Sequence, residues 1–235
     1  MSKQEKSKGA AFFERADKVA ETGNFDYAID MYLQGLGREP ENIEHGHKPL
    51  RGLAMQRLAG GGKPANMIEK LKRRSAKTPQ DAMTNALFLL SKEPGAADQL
   101  EAAMKAANNM ELPEVGLFYT SLLFDTQKIA GDKADKKVLI AVVESLTKLG
   151  DFNQAVEAAT LAKKVAPNDG IVSDLARNTA ARSAIDRGDY DKKERGDGFE
   201  GNVANMDAQK KLVEKDSDIK SEAFLKSEIE RTRAE

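Results

Sequence analysis

The feature that most constrains this chain is a pattern of residues that it carries twice. In GNFDYAIDMYLQGLGREPEN, residues 23–42, the residues Gly, Phe, Ala, Tyr, Gly and Pro are separated by 2, 3, 4, 3 and 5 positions. In GDFNQAVEAATLAKKVAPND, which begins 127 residues later, Gly, Phe, Ala, Ala, Ala and Pro have the same spacing. Apolar residues recur at every third or fourth position in both segments, which is typical of amphipathic helices and not of strands. The pattern therefore predicts a helical unit that the chain repeats.

The residues around the first segment predict two helices joined by a tight turn. An apolar stripe precedes Gly23, and a second stripe follows it. Gly23 suits the left-handed conformation that ends many helices, and Asn24 suits the N-cap of the next one. Pro40 cannot continue a helix, so the second helix ends before it. The predicted unit is an antiparallel helix hairpin.

This spacing of residues resembles that of the tetratricopeptide repeat (TPR), a helix–turn–helix unit of about 34 residues. The first match covers residues 9–42 and the second covers residues 136–169. The signature positions are Phe12, Ala16, Gly23, Phe25, Ala28, Tyr32 and Pro40 in the first match, and Leu139, Gly150, Phe152, Ala155, Ala162 and Pro167 in the second. The departures are Arg15 at a usual leucine, Val143 at a usual small residue and Ala159 at a usual aromatic residue. The resemblance implies an all-α, right-handed superhelical solenoid of antiparallel hairpins.

A single hairpin cannot bury its apolar face, so the chain between the two matches should form further helices that stack on them. We expect about ten helices in residues 10–187, with two of them between Pro79 and Pro113, interrupted at residues 93–95. The pairing of a helix at residues 114–130 stays open. Residues 1–9 are expected to form a flexible N-terminus, and residues 188–235 a charged linker with a C-terminal helix or tail.

The TPR resemblance implies a non-enzymatic scaffold that holds a peptide or helix of a partner protein in the groove of the array. The groove positions predicted by alignment are Phe13, Asp17, Ala20, Lys137, Ile140, Glu144 and Lys148. Alternatively, Phe13 and Ile140 pack against neighbouring helices. Some TPR domains clamp a carboxylate with lysine and asparagine on their first helices, but only Lys137 fits that requirement here. A carboxylate clamp is therefore not expected.

The sequence leaves two other functions open. The tail could act as a regulatory latch or a self-association helix through Phe224, Leu225 and Ile229. The array could instead bind RNA through a basic run, which we interpret mainly as a solvated face opposite an apolar stripe. The basic run contains Lys70, Lys72, Arg73, Arg74 and Lys77, and the stripe contains Met67, Ile68 and Leu71. A net charge of -1 gives no overall attraction to nucleic acid, so that partner is not favoured.

Little in the sequence indicates catalysis, a cofactor or a metal. Cysteine is absent, which excludes thiolate metal sites and thiol nucleophiles. The segment AGGGKPAN lacks the first glycine and the hydroxyl of a phosphate-binding loop, so it is expected to be an inter-helix turn. His45 and His47, near Glu44, are more consistent with a polar helix start than with a metal site, because helical metal pairs are four residues apart. We expect a cytoplasmic protein with no membrane insertion.

Overall fold

The structure of the protein is a computed structural model that describes residues 8–194, with side chains as far as residue 188. Over these residues the fold is all-α, with ten α-helices, two short turns of other helix types and no strand. The helices are α1 (Ala10–Glu21), α2 (Phe25–Leu36), α3 (Lys48–Ala59), α4 (Met67–Lys72), α5 (Pro79–Lys92), α6 (Ala97–Asn109), α7 (Pro113–Ala130), α8 (Lys136–Leu149), α9 (Phe152–Val165) and α10 (Gly170–Glu194). A π-helical turn (Ile43–His47) precedes α3, and a 3₁₀ turn (Gly131–Lys133) follows α7.

The chain divides into two units at residues 181 and 182. The first unit is described from residue 8, and the described part of the second is the end of α10. That helix continues through Gly188 to Glu194, so the boundary expected at residues 187 and 188 falls inside a helix. In the described part of the chain, no helix is both long and apolar enough to cross a bilayer.

Most of the helices pack against the helices next to them in the chain. The closest pairs are α1 with α2, α5 with α6, α6 with α7, and α8 with α9, while α3 packs against both α2 and α5. The helix at 113–130, whose pairing the sequence left open, packs between α6 and α8. The segment of residues 60–78, which contains α4, separates α3 from α5. The pairs α1/α2, α3/α5, α6/α7 and α8/α9 thus account for every described helix except α4 and α10.

A residue with a positive φ follows the first helix of each of these four pairs. These residues are Gly23 (φ 77°), Gly61 (81°), Glu111 (56°) and Gly150 (83°); Gly131, between the third and fourth turns, also has a positive φ (58°). The positive φ expected for Gly23 is therefore confirmed, and Gly150 adopts it as well. Glu111 adopts it despite its Cβ, which makes it the single such residue besides glycine in residues 8–194. Because Glu111 does not read as a helix stop, the α6/α7 hairpin was not recognisable as a repeat.

The α6/α7 hairpin nevertheless keeps the repeat spacing. Gly116 lies five residues after Glu111, just as Ala28 and Ala155 lie five residues after their turn glycines. All three are buried. A Cβ on Gly116 would lie 2.6 Å from the Asn108 side-chain oxygen, so a larger residue there would have to displace the Asn108 side chain.

Small side chains form much of the core. The alanines with no exposed surface lie where helices touch, and they are Ala16, Ala28, Ala103, Ala107, Ala155, Ala158 and Ala162. Larger residues such as Leu123, Leu139 and Leu146 fill the spaces between them. One continuous apolar cluster includes buried residues from Phe13 to Val172, so the hairpins share a single core.

Candidate partner-binding groove

An open groove with a volume of about 500 Å³ lies between α1 and α3. Its lining residues are Asp17, Ala20, Glu21, Tyr32, Pro49, Gly52, Leu53 and Gln56. The charged members of this set, Asp17 and Glu21, are both carboxylates, and the remainder are mostly small or aliphatic. The groove therefore combines an acidic rim with apolar surface, in a volume typical of ligand sites.

The α1 wall of the groove is fixed to α2 by a hydrogen bond. The Tyr32 hydroxyl donates to the Asp17 carboxylate, and the Tyr32 ring is buried. Burial and the adjacent carboxylate raise the pKa of Tyr32, so the phenol stays protonated and remains a donor. This bond orients the exposed Asp17 carboxylate at the edge of the groove.

The α3 wall is anchored by a buried histidine. His47 Nε2 donates to the Pro40 carbonyl at 2.8 Å, so Nδ1 is the acceptor for the Tyr119 hydroxyl, also at 2.8 Å. The imidazole has no exposed surface. Burial lowers the pKa of His47 to about 4, so the ring is neutral at pH 7. His47 thus connects the chain before α3 to α7, 72 residues away.

Two glycines, one on α2 and one in the π-helical turn, leave room for Phe13 and for its neighbour Leu36. A Cβ on Gly35 would lie 2.4 Å from the Phe13 ring, and a Cβ on Gly46 would lie 2.4 Å from the Leu36 side chain. Phe13 also packs next to Tyr32, with ring centroids 6.2 Å apart. The space for the Phe13 ring therefore depends on the absence of a side chain at Gly35, and the space for Leu36 on its absence at Gly46.

The predicted groove residues fall into three groups. Asp17 and Ala20 do line the α1–α3 groove. Phe13 is 3% exposed and packs in the core, so a partner cannot contact its side chain in this groove. The four others lie on α8, away from the residues that line this groove, with Lys137, Glu144 and Lys148 exposed and Ile140 half-buried.

The residues of the repeat signature lie mainly at helix contacts. Buried members are Ala16, Ala28, Tyr32, Leu139, Ala155 and Ala162, and half-buried members are Phe12, Phe25, Pro40 and Phe152. Phe12, the large signature residue of α1, is half-buried and packs against the core, and its neighbour Phe13 is buried within the core. The Arg38 guanidinium lies over the Phe12 ring, 4.0 Å from its centre. Gly23 and Gly150 are exposed turn residues, and exposed Pro167 follows the end of α9.

Five groove residues were not predicted from the sequence: Glu21, Pro49, Gly52, Leu53 and Gln56. Pro49, Leu53 and Gln56 are spaced by four and three residues and share one face of α3. That spacing was a usable signal. The sequence does not identify α3 as part of a repeat, because the helix that pairs with it begins only at Pro79.

The remaining segments that the sequence suggested as sites are a glycine-rich turn, two histidines and the tail residues. Gly60–Gly62 ends α3 and starts the segment before α4, as expected for a turn. His45 and His47 lie in the π-helical turn that leads into α3, as expected for a helix start, but the His47 ring is fully buried and does not lie on a polar surface. No group of three metal-ligating side chains occurs within residues 8–188. The tail residues Phe224, Leu225 and Ile229 lie outside the described residues.

A second polar feature joins three helices beside the glycine turn. Asp26 on α2 accepts hydrogen bonds from Arg57 Nε at 2.9 Å and from Lys92 Nζ at 2.5 Å. The side chains of the two cations are 10% and 11% exposed, whereas the Asp26 side chain is 65% exposed. The Lys92 hydrogen bond, with help from Arg57, lowers the pKa of Asp26. The cluster ties α2, α3 and α5 together across the inserted segment.

No protein-family model matches the chain, and no curated protein matches it.

Proposed function

We propose that the protein is a non-enzymatic interaction scaffold that binds a peptide or helix of a partner protein in the α1–α3 groove. The proposal rests mainly on which helices form the walls of the groove. They come from the first helices of two successive hairpins, which is where side chains of a TPR-like array would face a ligand. A right-handed TPR-like superhelix is part of the proposal.

The lining chemistry favours a particular kind of ligand. Asp17 and Glu21 place two carboxylates at the groove, and no lysine or arginine lines it. A partner segment with lysine or arginine beside aliphatic residues would meet complementary charge and apolar surface. A free carboxylate terminus would meet like charge, which agrees with the expectation of no carboxylate clamp.

Gly52 allows a direct test because it lines the groove and has free space around it. No atom lies within 4 Å of a Cβ built there. Gly52→Arg would project a long cationic side chain into the groove and neutralise part of its charge. Gly52→Ala adds only a methyl group. Both replace a glycine inside α3, so both should raise the free energy of unfolding, by about 0.5–1 kcal/mol.

The measurement is quantitative affinity purification with the full chain and these two variants. We expect a partner retained by the unchanged chain and by Gly52→Ala to be lost from Gly52→Arg, with urea unfolding showing that both variants remain folded. Equal retention of every partner by Gly52→Arg would place recognition outside the groove and contradict the proposal. Nucleic acid recovered in place of protein would also contradict it.

A further inference from the structure

The helix α4 presents its apolar face outward. Met67 is 82% exposed, Ile68 is 66% exposed and Leu71 is 68% exposed. The sequence suggested that these residues form a packing stripe, but α4 has no extensive packing contact with another helix of the described chain. Large aliphatic side chains with this exposure, clustered on one face, indicate a surface that something else covers.

The segment that carries this face is strongly basic. Residues 63–77, which we name the basic segment, contain six lysines and arginines and one acidic residue, Glu69. The Glu69 carboxylate accepts a hydrogen bond from the Asn66 backbone at 2.8 Å, and the Asn66 side chain accepts one from the Glu69 N–H at 2.9 Å. The single carboxylate therefore caps α4. The local charge of +5 contrasts with -1 for the whole chain.

Two of the cations hold the segment in place. Lys70 pairs with Glu93 at 2.9 Å, and the Arg73 guanidinium lies 4.1 Å from the centre of the Phe88 ring. Arg73 also donates to the Asn85 side chain at 3.3 Å. These contacts fix α4 on α5 with its aliphatic face outward, although a helix of six residues is not stable alone.

The other cations of α4 and its C-terminal flank remain available. Lys72, Arg74 and Lys77 are exposed, and they have no ion pair or side-chain hydrogen bond within residues 8–188. The basic segment thus offers three aliphatic side chains and at least three uncommitted positive charges on one short stretch.

We propose that the basic segment docks on an anionic membrane surface, with Met67, Ile68 and Leu71 at the headgroup–acyl boundary and the free cations among the headgroups. A peripheral membrane anchor needs both signals, because neither one alone binds stably. This is contact with one leaflet and not a span. The proposal is independent of the α1–α3 groove.

A bilayer fits these observations better than a nucleic acid or a protein. Nucleic acid would use the cations but would leave the aliphatic face exposed, and Phe88 is already covered by Arg73. A groove of about 550 Å³ beside α4 includes Met67 and Leu71 but not Ile68, so a protein helix seated there would leave Ile68 uncovered. A bilayer covers all three side chains and requires no complementary shape.

The test is flotation of the full chain with lipid vesicles. One set contains only phosphatidylcholine, and the other contains about 30% phosphatidylglycerol to supply negative surface charge. The aliphatic variant carries Met67→Gln, Ile68→Gln and Leu71→Gln, which keeps good helix formers in α4. The charge variant carries Lys72→Gln and Arg74→Gln. The matched control carries Ile129→Gln and Ile171→Gln, which are equally exposed isoleucines elsewhere.

We expect binding to the anionic vesicles only, weakened by high salt. The charge variant should bind roughly thirtyfold more weakly, because each cation contributes about fivefold. The aliphatic variant should lose at least a factor of about ten, and the control should bind like the unchanged chain. Absence of binding to anionic vesicles would overturn the proposal. So would full binding by the aliphatic variant, or loss of a protein partner by these variants without any vesicle binding.

Discussion

Acidification should destabilise this protein through one buried side chain, His47. In the folded state burial lowers the pKa of His47 to about 4, whereas an exposed histidine in the unfolded chain has a pKa of 6.5. Between these two values the unfolded state binds the proton and the folded state does not. The free energy of unfolding therefore keeps its full value at neutral pH and falls as the pH drops below 6.5.

The magnitude follows from the difference between the two pKa values. For each pH unit crossed between the two pKa values, the free energy of unfolding changes by about 1.36 kcal/mol. Between pH 7 and pH 5 the unfolded histidine becomes almost fully protonated while His47 stays neutral in the folded state. The free energy of unfolding should fall by about 2 kcal/mol over this range. Ordinary carboxylates titrate mainly below pH 5, so they contribute little.

The assay is urea unfolding, followed by circular dichroism at half-unit steps from pH 7 to pH 5. The chain contains two histidines, which gives a matched control. His45→Gln removes the exposed one and should leave the slope unchanged. His47→Gln retains one donor and one acceptor but cannot take up a proton in this range. It should lower stability at pH 7 and remove most of the slope, so that its difference from the unchanged chain shrinks by about 2 kcal/mol at pH 5.

The same slope in the unchanged chain and in His47→Gln would refute this account. A further check uses Tyr119→Phe, which leaves His47 Nδ1 without its donor. We expect a loss of about 1–3 kcal/mol at pH 7, because a buried acceptor loses its partner. A loss near zero would show that this hydrogen bond does not hold α3 on α7.

Two further predictions concern the turns and the cation cluster. Asp26→Asn removes the carboxylate that two nearly buried cations share, so urea unfolding should show a loss of about 2 kcal/mol, against no measurable change for exposed Asp30→Asn. Because the folded pKa of Asp26 is lowered, this contribution is present above the ordinary pKa of 3.8 and is lost as the pH falls through the lower folded value. Glu111→Gly should raise stability by up to about 1 kcal/mol, since glycine adopts the positive φ without a Cβ penalty. Asn109→Gly, two residues earlier in a right-handed helix, should lower it by a few tenths of a kcal/mol. A loss of stability in Glu111→Gly would contradict the backbone argument. An unchanged free energy of unfolding in Asp26→Asn would contradict the role of the cation cluster.

The sequence predicted the helical class and the outer hairpins because their turn chemistry is local. Gly23 and Asn24 lie together in the chain, and they form the predicted turn and N-cap. The two helices predicted between Pro79 and Pro113 are confirmed as α5 and α6. The pairing of α3 with α5 and of α6 with α7 was not apparent from the sequence, for two physical reasons. Residues 60–78 are inserted between α3 and α5, and the turn after α6 uses Glu111 where glycine would have marked it.

The candidate groove was predictable only where it depends on local register. Asp17 and Ala20 follow from the alignment of α1, but the α3 wall depends on contacts that are distant in sequence. His47 is positioned by Tyr119, 72 residues away, and no local pattern could reveal that pairing. Helical periodicity likewise placed Met67, Ile68 and Leu71 on one face of α4. It could not show that this face points outward, because that depends on the ion pair and ring contact made by the opposite face.

The central claim is that the α1–α3 groove holds a partner segment, and site-specific photocrosslinking tests it most directly. A photoreactive amino acid at Gln56 lies in the groove, and the same group at exposed Glu157 on α9 lies outside it. We predict a discrete crosslinked protein from position 56 that disappears when Gly52→Arg is added and persists with Gly52→Ala, and none of that product from position 157. The same product from both positions, or a product from position 56 that survives Gly52→Arg, would contradict the account.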